Sequence, residues 1–178
     1  MTIEIALDRF EELLTKVPAD GWEQPTPCDK WAIADLVAHV VAVVRLGREL
    51  VLGADFPAAG EQAREADPVA AWHEARQAFE EVLAKADPTA EVAAPVGRVP
   101  LPTMLDTFFL TEILVHSWDL ATALGVPPAL DQELVRKVDE YVRPFGGAGT
   151  EGIFEPAVES AREADEITRL MNQLGRTA

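Results

Sequence analysis

The stretch that decides the fold is Phe108-Phe109-Leu110-Thr111-Glu112-Ile113-Leu114-Val115-His116-Ser117-Trp118. It is too long and too evenly apolar for a loop, and it lacks the alternation of a half-buried strand. Read at 3.6 residues per turn, Phe109, Ile113, His116 and Leu120 share one face. Glu112 lies four residues before His116, so the two side chains project side by side, one turn apart. A carboxylate at the centre of such a helix is costly to bury unless something pairs with it. The fold and the chemistry of this chain are therefore read from the same eleven residues.

Working outward, this helix is expected over about Pro102 to Leu124, ended by Gly125-Val126-Pro127-Pro128. A second apolar helix is predicted from about Ile33 to Leu52, with a stop near Gly53. Residues 3–17 form an amphipathic helix with Ile5, Phe10, Leu13 and Leu14 on one stripe. Asp67-Pro68 reads as an N-cap followed by proline at the first helical position. It opens a helix carrying Val69, Trp72, Phe79, Val82 and Leu83, ending before Asp87-Pro88. Asp131 caps a shorter helix from Gln132 to Val142, and Pro144-Phe145-Gly146-Gly147 breaks the chain after it. Ala157 to Leu174 carries a final helical pattern. Ala54–Asp67 reads as a connector, and residues 88–102 sustain no helix and at most a brief extended piece. The fold class expected is all-α: an antiparallel helical bundle over about 1–125, extended by residues of about 126–178, all in one domain.

Composition narrows the function. With 48% hydrophobic residues, 178 residues supply one packed core, and charges interrupt every apolar run before it could span a bilayer. The formal charge of −16 repels phosphate backbones and anionic membranes, so neither nucleic acid nor a membrane is an expected partner. The acid-rich N-terminus is no secretory signal, and the expected location is cytoplasmic. Cys28 is the one cysteine, which excludes an intrachain disulfide and a cysteine-based zinc cage.

Of three histidines, His39 and His116 lie within the two most apolar helices. His39 shares its face with Leu36 and Val43. His39 from one helix, with Glu112 and His116 from another, would make three sides of a tetrahedral metal site. Two imidazoles and a carboxylate suit zinc, or nickel or iron, and leave a coordination position open. The residues alone leave plainer readings standing: a hydrogen-bonded core histidine at 39 and a helical ion pair at 112 and 116. Asp119, three residues after His116, either orients its free ring nitrogen or faces solvent. His73 reads as a surface residue. Cys28 reads as an inert thiol in a proline-rich loop, with Lys30 the one basic residue beside it.

Two stretches resemble a known family. Trp22-Glu23-Gln24-Pro25-Thr26-Pro27-Cys28-Asp29-Lys30-Trp31, followed by Ala34-Asp35-Leu36-Val37-Ala38-His39-Val40, looks like the first signature of the mycothiol-dependent maleylpyruvate isomerase metal-binding domain. Thr111-Glu112-Ile113-Leu114-Val115-His116-Ser117-Trp118-Asp119-Leu120-Ala121 looks like its second. The resemblance runs from the first helix to about Ala123, and the tail resembles a short actinobacterial subgroup. It implies a DinB/YfiT-like four-helix bundle, with His39, Glu112 and His116 as metal ligands. It also implies zinc or another divalent ion, and use of a low-molecular-weight thiol such as mycothiol. Two features depart from the family. Only about 55 residues follow Ala123, fewer than the separate C-terminal domain of the isomerase itself. Ala32 stands where family members often place a capping threonine, which leaves Asp35 to support the helix dipole alone.

The functional expectation is a divalent-metal-binding protein, monomeric or homodimeric. It would act either as a thiol-dependent S-transferase or isomerase on a small electrophile, or as a metal-dependent hydrolase, or as a non-catalytic metal-binding or sensing module. The sequence assigns no catalytic residue beyond the metal ligands.

Overall fold

The computed structural model describes residues 2–57, 62–94, 97–145 and 156–177. Their order is α1 (Thr2–Leu14), α2 (Ile33–Val51), α3 (Pro68–Leu83), β1 (Glu91–Ala94), β2 (Gly97–Pro100), α4 (Leu101–Met104), a π-helical turn (Leu105–Phe109), α5 (Leu110–Ala123), α6 (Gln132–Val142), a 3-10 turn (Arg143–Phe145) and α7 (Glu166–Gln173). The protein is mostly helical, with one small sheet. Helix α2 packs against α3 and α5, α1 packs against α5, and α6 lies between α5 and α7. Their apolar faces meet in a shared core that includes Phe10, Leu36, Val40, Trp72, Phe79, Leu110, Ile113 and Leu170. Among the described residues, no helix is long and apolar enough to cross a membrane.

Helices α3 and α6 start on aspartate caps. The Asp67 side chain accepts the Ala70 N–H at 3.0 Å, and Asp131 accepts from Glu133 and Leu134 at 2.8 and 3.1 Å. In α2 the expectation for Asp35 needs correction. Its Oδ2 reaches back to the Ala32 N–H at 2.9 Å, and it also takes a forked pair of bonds from Arg64 at 2.6 and 2.8 Å. Half of a capping box survives without the threonine, and an arginine from the following connector adds to it.

Four other expectations are corrected. Ile5 is 51% exposed, whereas Ile3, Ala6, Leu7, Phe10, Leu13 and Leu14 are buried. Positions 3, 7, 10 and 14 keep helical spacing, and Ile5 lies well off that stripe. Second, the mostly helical fold carries a small sheet where the sequence allowed at most a brief extended piece. Residues 91–100 form an antiparallel hairpin in the register Val92↔Val99 and Ala93↔Arg98. Gly97 adopts a φ of +117°, a backbone conformation that side-chain-bearing residues avoid. Third, the helix expected over 102–124 is interrupted by the π-helical turn Leu105–Phe109, which re-phases its faces just before Glu112. The Thr107 hydroxyl donates to the Thr103 carbonyl at 2.6 Å, competing locally with the helix ladder. Fourth, the tail is helical only over Glu166–Gln173. The proposed breaker Gly146-Gly147 and part of the 54–67 connector lie outside the described residues.

Close packing between α2 and its neighbours gives a stability test. A Cβ at Gly47 would lie 2.7 Å from the ring of Phe79 and 3.2 Å from that of Phe109. Both rings are buried. Overpacking costs about 1–3 kcal/mol, while alanine gains about 1 kcal/mol in helix propensity. Gly47→Ala should therefore lower stability by up to about 2 kcal/mol in denaturant unfolding. A stabilised variant would show that the rings shift freely.

Candidate metal centre

Helices α2 and α5 bring the three predicted residues together. His39 Nε2 lies 2.9 Å from Glu112 Oε2, and His116 Nε2 lies 3.7 Å from the same oxygen. The three ligand atoms all fall within 4.8 Å of one another. Ligand atoms around a tetrahedral zinc sit roughly 3.4 Å apart, so the grouping is near the size of a metal shell. The imidazole rings meet edge to face, with centroids 4.8 Å apart.

The other ring nitrogens are engaged as well. His39 Nδ1 is 3.2 Å from Gln62 Oε1, and His116 Nδ1 is 2.9 Å from Asp119 Oδ2. Both partners are acceptors, so both Nδ1 atoms carry hydrogen and donate. In the neutral ring this leaves the Nε2 lone pairs directed at the Glu112 carboxylate, the tautomer that metal ligation requires. Two acceptor atoms 2.9 Å apart need a cation or a proton between them.

Burial alone would push the Glu112 carboxyl up. The hydrogen bonds and positive charge of His116 and His39 outweigh it and hold this carboxyl far below the ordinary range. His116 is the counterpart. Desolvation pulls it down, but Asp119, Cys28 and Glu112 raise it well above an ordinary histidine. A proton and a divalent cation thus compete for the same lone pairs.

Local structure explains each position. Gln62 reaches His39 because its connector is tied down at both Arg64 and Glu65. Arg64 bridges Asp35 of α2 and Glu23 at 2.6 Å each, and Arg45 of α2 pairs with Glu65. The loop before α2 is closed by Thr26 N–H to Trp31 O and Ile33 N–H to Gln24 O, each 3.0 Å. The Thr26 hydroxyl also donates to Trp31 O at 3.0 Å. This loop lays the Trp31 indole beside His39 and His116, at centroid distances of 5.0 and 5.8 Å.

Asp119 is fully buried. Besides His116, its carboxylate accepts from Cys28 Sγ at 3.1 Å and from Arg176 Nε and Nη2 at 3.2 and 3.0 Å. Desolvation raises it, but the His116 hydrogen bond and the charges of His116 and Arg176 bring it down to about 2. Of the two readings the sequence left for Asp119, solvent-facing is excluded.

Cys28, His116 and Asp119 form a second grouping of metal-ligand type. The Arg176 guanidinium already lies 3.7 Å from Cys28 Sγ, so a second cation there meets a fixed positive charge. The sequence reads Cys28 as an inert loop thiol beside Lys30, and the fold sets Arg176 and His116 near it as well. Cys28 lies 3.9 Å from the Nδ1 edge of His116, the edge turned away from Glu112.

His73 lies apart, 54% exposed on α3 and 3.6 Å from Glu11. Gln62, Trp31, Arg176 and Tyr141 were not foreseen. Tyr141 on α6 has its hydroxyl raised by burial and by the nearby charge of Glu112.

The family model described as the mycothiol maleylpyruvate isomerase N-terminal domain matches residues 3–121. The chain belongs to this family. The match takes in every residue of the centre except Tyr141 and Arg176. Two uncharacterized proteins of Mycobacterium tuberculosis are similar to the chain, one from strain CDC 1551 / Oshkosh and one from strain ATCC 25618 / H37Rv. Each is 34% identical over 183 residues, covering 99% of this chain and 97% of its own length. The likeness to these relatives therefore extends through the C-terminal segment, beyond the family domain. No solved structure matches the chain significantly.

Proposed function

We propose that this member of the family is a divalent-metal-binding helical protein that holds its ion, most suitably zinc, through His39, Glu112 and His116. In this reading it uses a small thiol of the mycothiol type in S-transfer or isomerisation of a small electrophile. The observation that carries the metal assignment is the convergence of the His39 and His116 Nε2 atoms on the Glu112 carboxylate. Gln62 and Asp119 engage both Nδ1 atoms, so both Nε2 atoms turn toward one carboxylate, where a cation can take the place of their protons. The donor set fits a borderline-soft divalent cation. We take α1, α2, α3 and α5 as a DinB-like four-helix bundle built around this centre.

Three observations support the thiol. The family description names mycothiol. Three protein ligands leave a coordination position for an exogenous group. Cys28, the one thiol of the chain, faces the Nδ1 edge of His116, so it does not fill that position. Bound there, a divalent metal would keep a coordinated thiol deprotonated near neutral pH. Trp31 shields the imidazoles from one side. The net charge of −16 favours a thiol carrier without strong negative charge, because long-range repulsion slows an anionic one.

One observation favours a non-catalytic metal-binding module instead. Glu112 and Asp119, the carboxylates of the centre, are both engaged with histidines, and neither is spare as a general base.

Titration of the cobalt-substituted protein with mycothiol separates these readings. A sulfur-to-metal charge-transfer band is expected to grow with thiol. If no band develops at millimolar thiol, the transferase and isomerase readings fall. A metal-dependent hydrolase or a non-catalytic module would then account better for the site.

A further inference from the structure

Asp119 is an expensive residue to bury. It has no exposed surface, and in the metal-bound reading above its histidine partner is a neutral imidazole. A buried carboxylate facing only neutral donors loses the charge balance that keeps it ionised. Arg176 supplies that balance. Its Nε meets Asp119 Oδ1 at 3.2 Å and its Nη2 meets Oδ2 at 3.0 Å, the two-pronged geometry that fixes a carboxylate plane.

The chain places this arginine with care. Helix α7 ends at Gln173, and Gly175 follows with a φ of +82°. The Gly175 N–H donates to Asn172 O at 3.0 Å, and the Arg176 N–H donates to Met171 O at 2.9 Å. These two bonds are a Schellman motif, which turns the backbone sharply and fixes the residue that follows the glycine. Arg176 Nη1 also donates to Leu174 O at 2.9 Å. Leu170, Met171 and Leu174 are buried in the shared core. A guanidinium is thereby anchored by its own backbone before it meets Asp119.

We infer that Arg176 is a positioning residue for the metal centre: through Asp119 it fixes the ring of His116, so that the C-terminal helix sets metal affinity although it contributes no ligand. This rests on the metal reading proposed above. Hydrogen-bond partners of metal-bound histidines typically contribute 10- to 100-fold to affinity. Arg176 acts one contact further out, so its loss should weaken zinc binding about tenfold.

The test compares zinc affinity, by competition with a chromogenic chelator, across the wild type, Arg176→Ala, Arg176→Lys, Asp119→Asn and the double variant Asp119→Asn/Arg176→Ala. The expected result is weaker binding by Arg176→Ala and partial rescue by Arg176→Lys. The double variant should bind no more weakly than Asp119→Asn alone, because a residue acting through Asp119 has nothing left to act on. A merely structural loss at α7 would instead multiply with the Asp119 effect. Arg176→Gln removes the charge while keeping a polar side chain, and serves for the same comparison if the alanine variant does not fold. Wild-type affinity in the Arg176 variants, or losses that multiply in the double variant, overturns the inference while leaving the metal site intact. A wild-type protein that takes up no zinc overturns the metal reading and this inference with it.

Discussion

Glu112→Gln is expected to weaken zinc binding by more than about 100-fold, beyond the range typical of residues that only support a ligand. The substitution keeps the shape of the side chain and an oxygen able to face His39. What it removes is the one formal negative charge held between two imidazoles. A dication held by two neutral rings and an amide lacks the charge compensation that a buried site demands. His73→Ala is the matched control, since His73 lies on the exposed side of α3 beside Glu11 and should leave affinity unchanged. Chelator competition ranks the two. Equal affinities would mean that the metal binds elsewhere.

Metal removal should loosen the fold without abolishing it. The core is extensive and apolar, drawing on every long helix, so the chain differs from small domains that fold only with their metal. The centre nevertheless contributes through linkage. With free metal about a thousand-fold above its dissociation constant, binding stabilises the native state by roughly 4 kcal/mol. In a chain of this size that corresponds to a drop in Tm of roughly 10 °C on chelation. The apo protein still holds Glu112 between two histidines, and their shared hydrogen bonding limits the cost of burying it. Melts with and without chelator should both be cooperative, the apo one at lower temperature. An apo protein with no cooperative transition would show that the metal, rather than the core, specifies the fold.

The grouping of His39, Glu112 and His116 was legible in the sequence because a helix converts spacing into direction. Glu112 and His116, four apart in an apolar run, had to share a face. His39 was legible for another reason, as one of few histidines and set among valines where an unpartnered imidazole is costly. The residues around these three were not legible. Cys28 and Arg176 stand 148 positions apart, and no periodicity links a loop before α2 to the exit of α7. Gln62 gave no sign either, because it reaches His39 from a connector whose ion pairs, at Arg64 and Glu65, no local pattern reveals. Most helices were legible, and the secondary structure was hidden at two places. Four-residue strands are too short to show alternation, and the π-helical turn at Leu105–Phe109 contains no glycine or proline to mark it. Ile5 misled because it is apolar in a helix whose buried stripe runs through Ile3, Leu7 and Phe10 instead.

The central claim is that His39, Glu112 and His116 together hold one divalent ion. The most direct measurement is elemental analysis of protein purified without a polyhistidine tag, before and after reconstitution with zinc. About one equivalent of divalent metal per chain is expected, and Glu112→Gln should lose it. Metal-free protein that also takes up neither zinc nor nickel on reconstitution would contradict the account and leave the three side chains a buried ion-pair network.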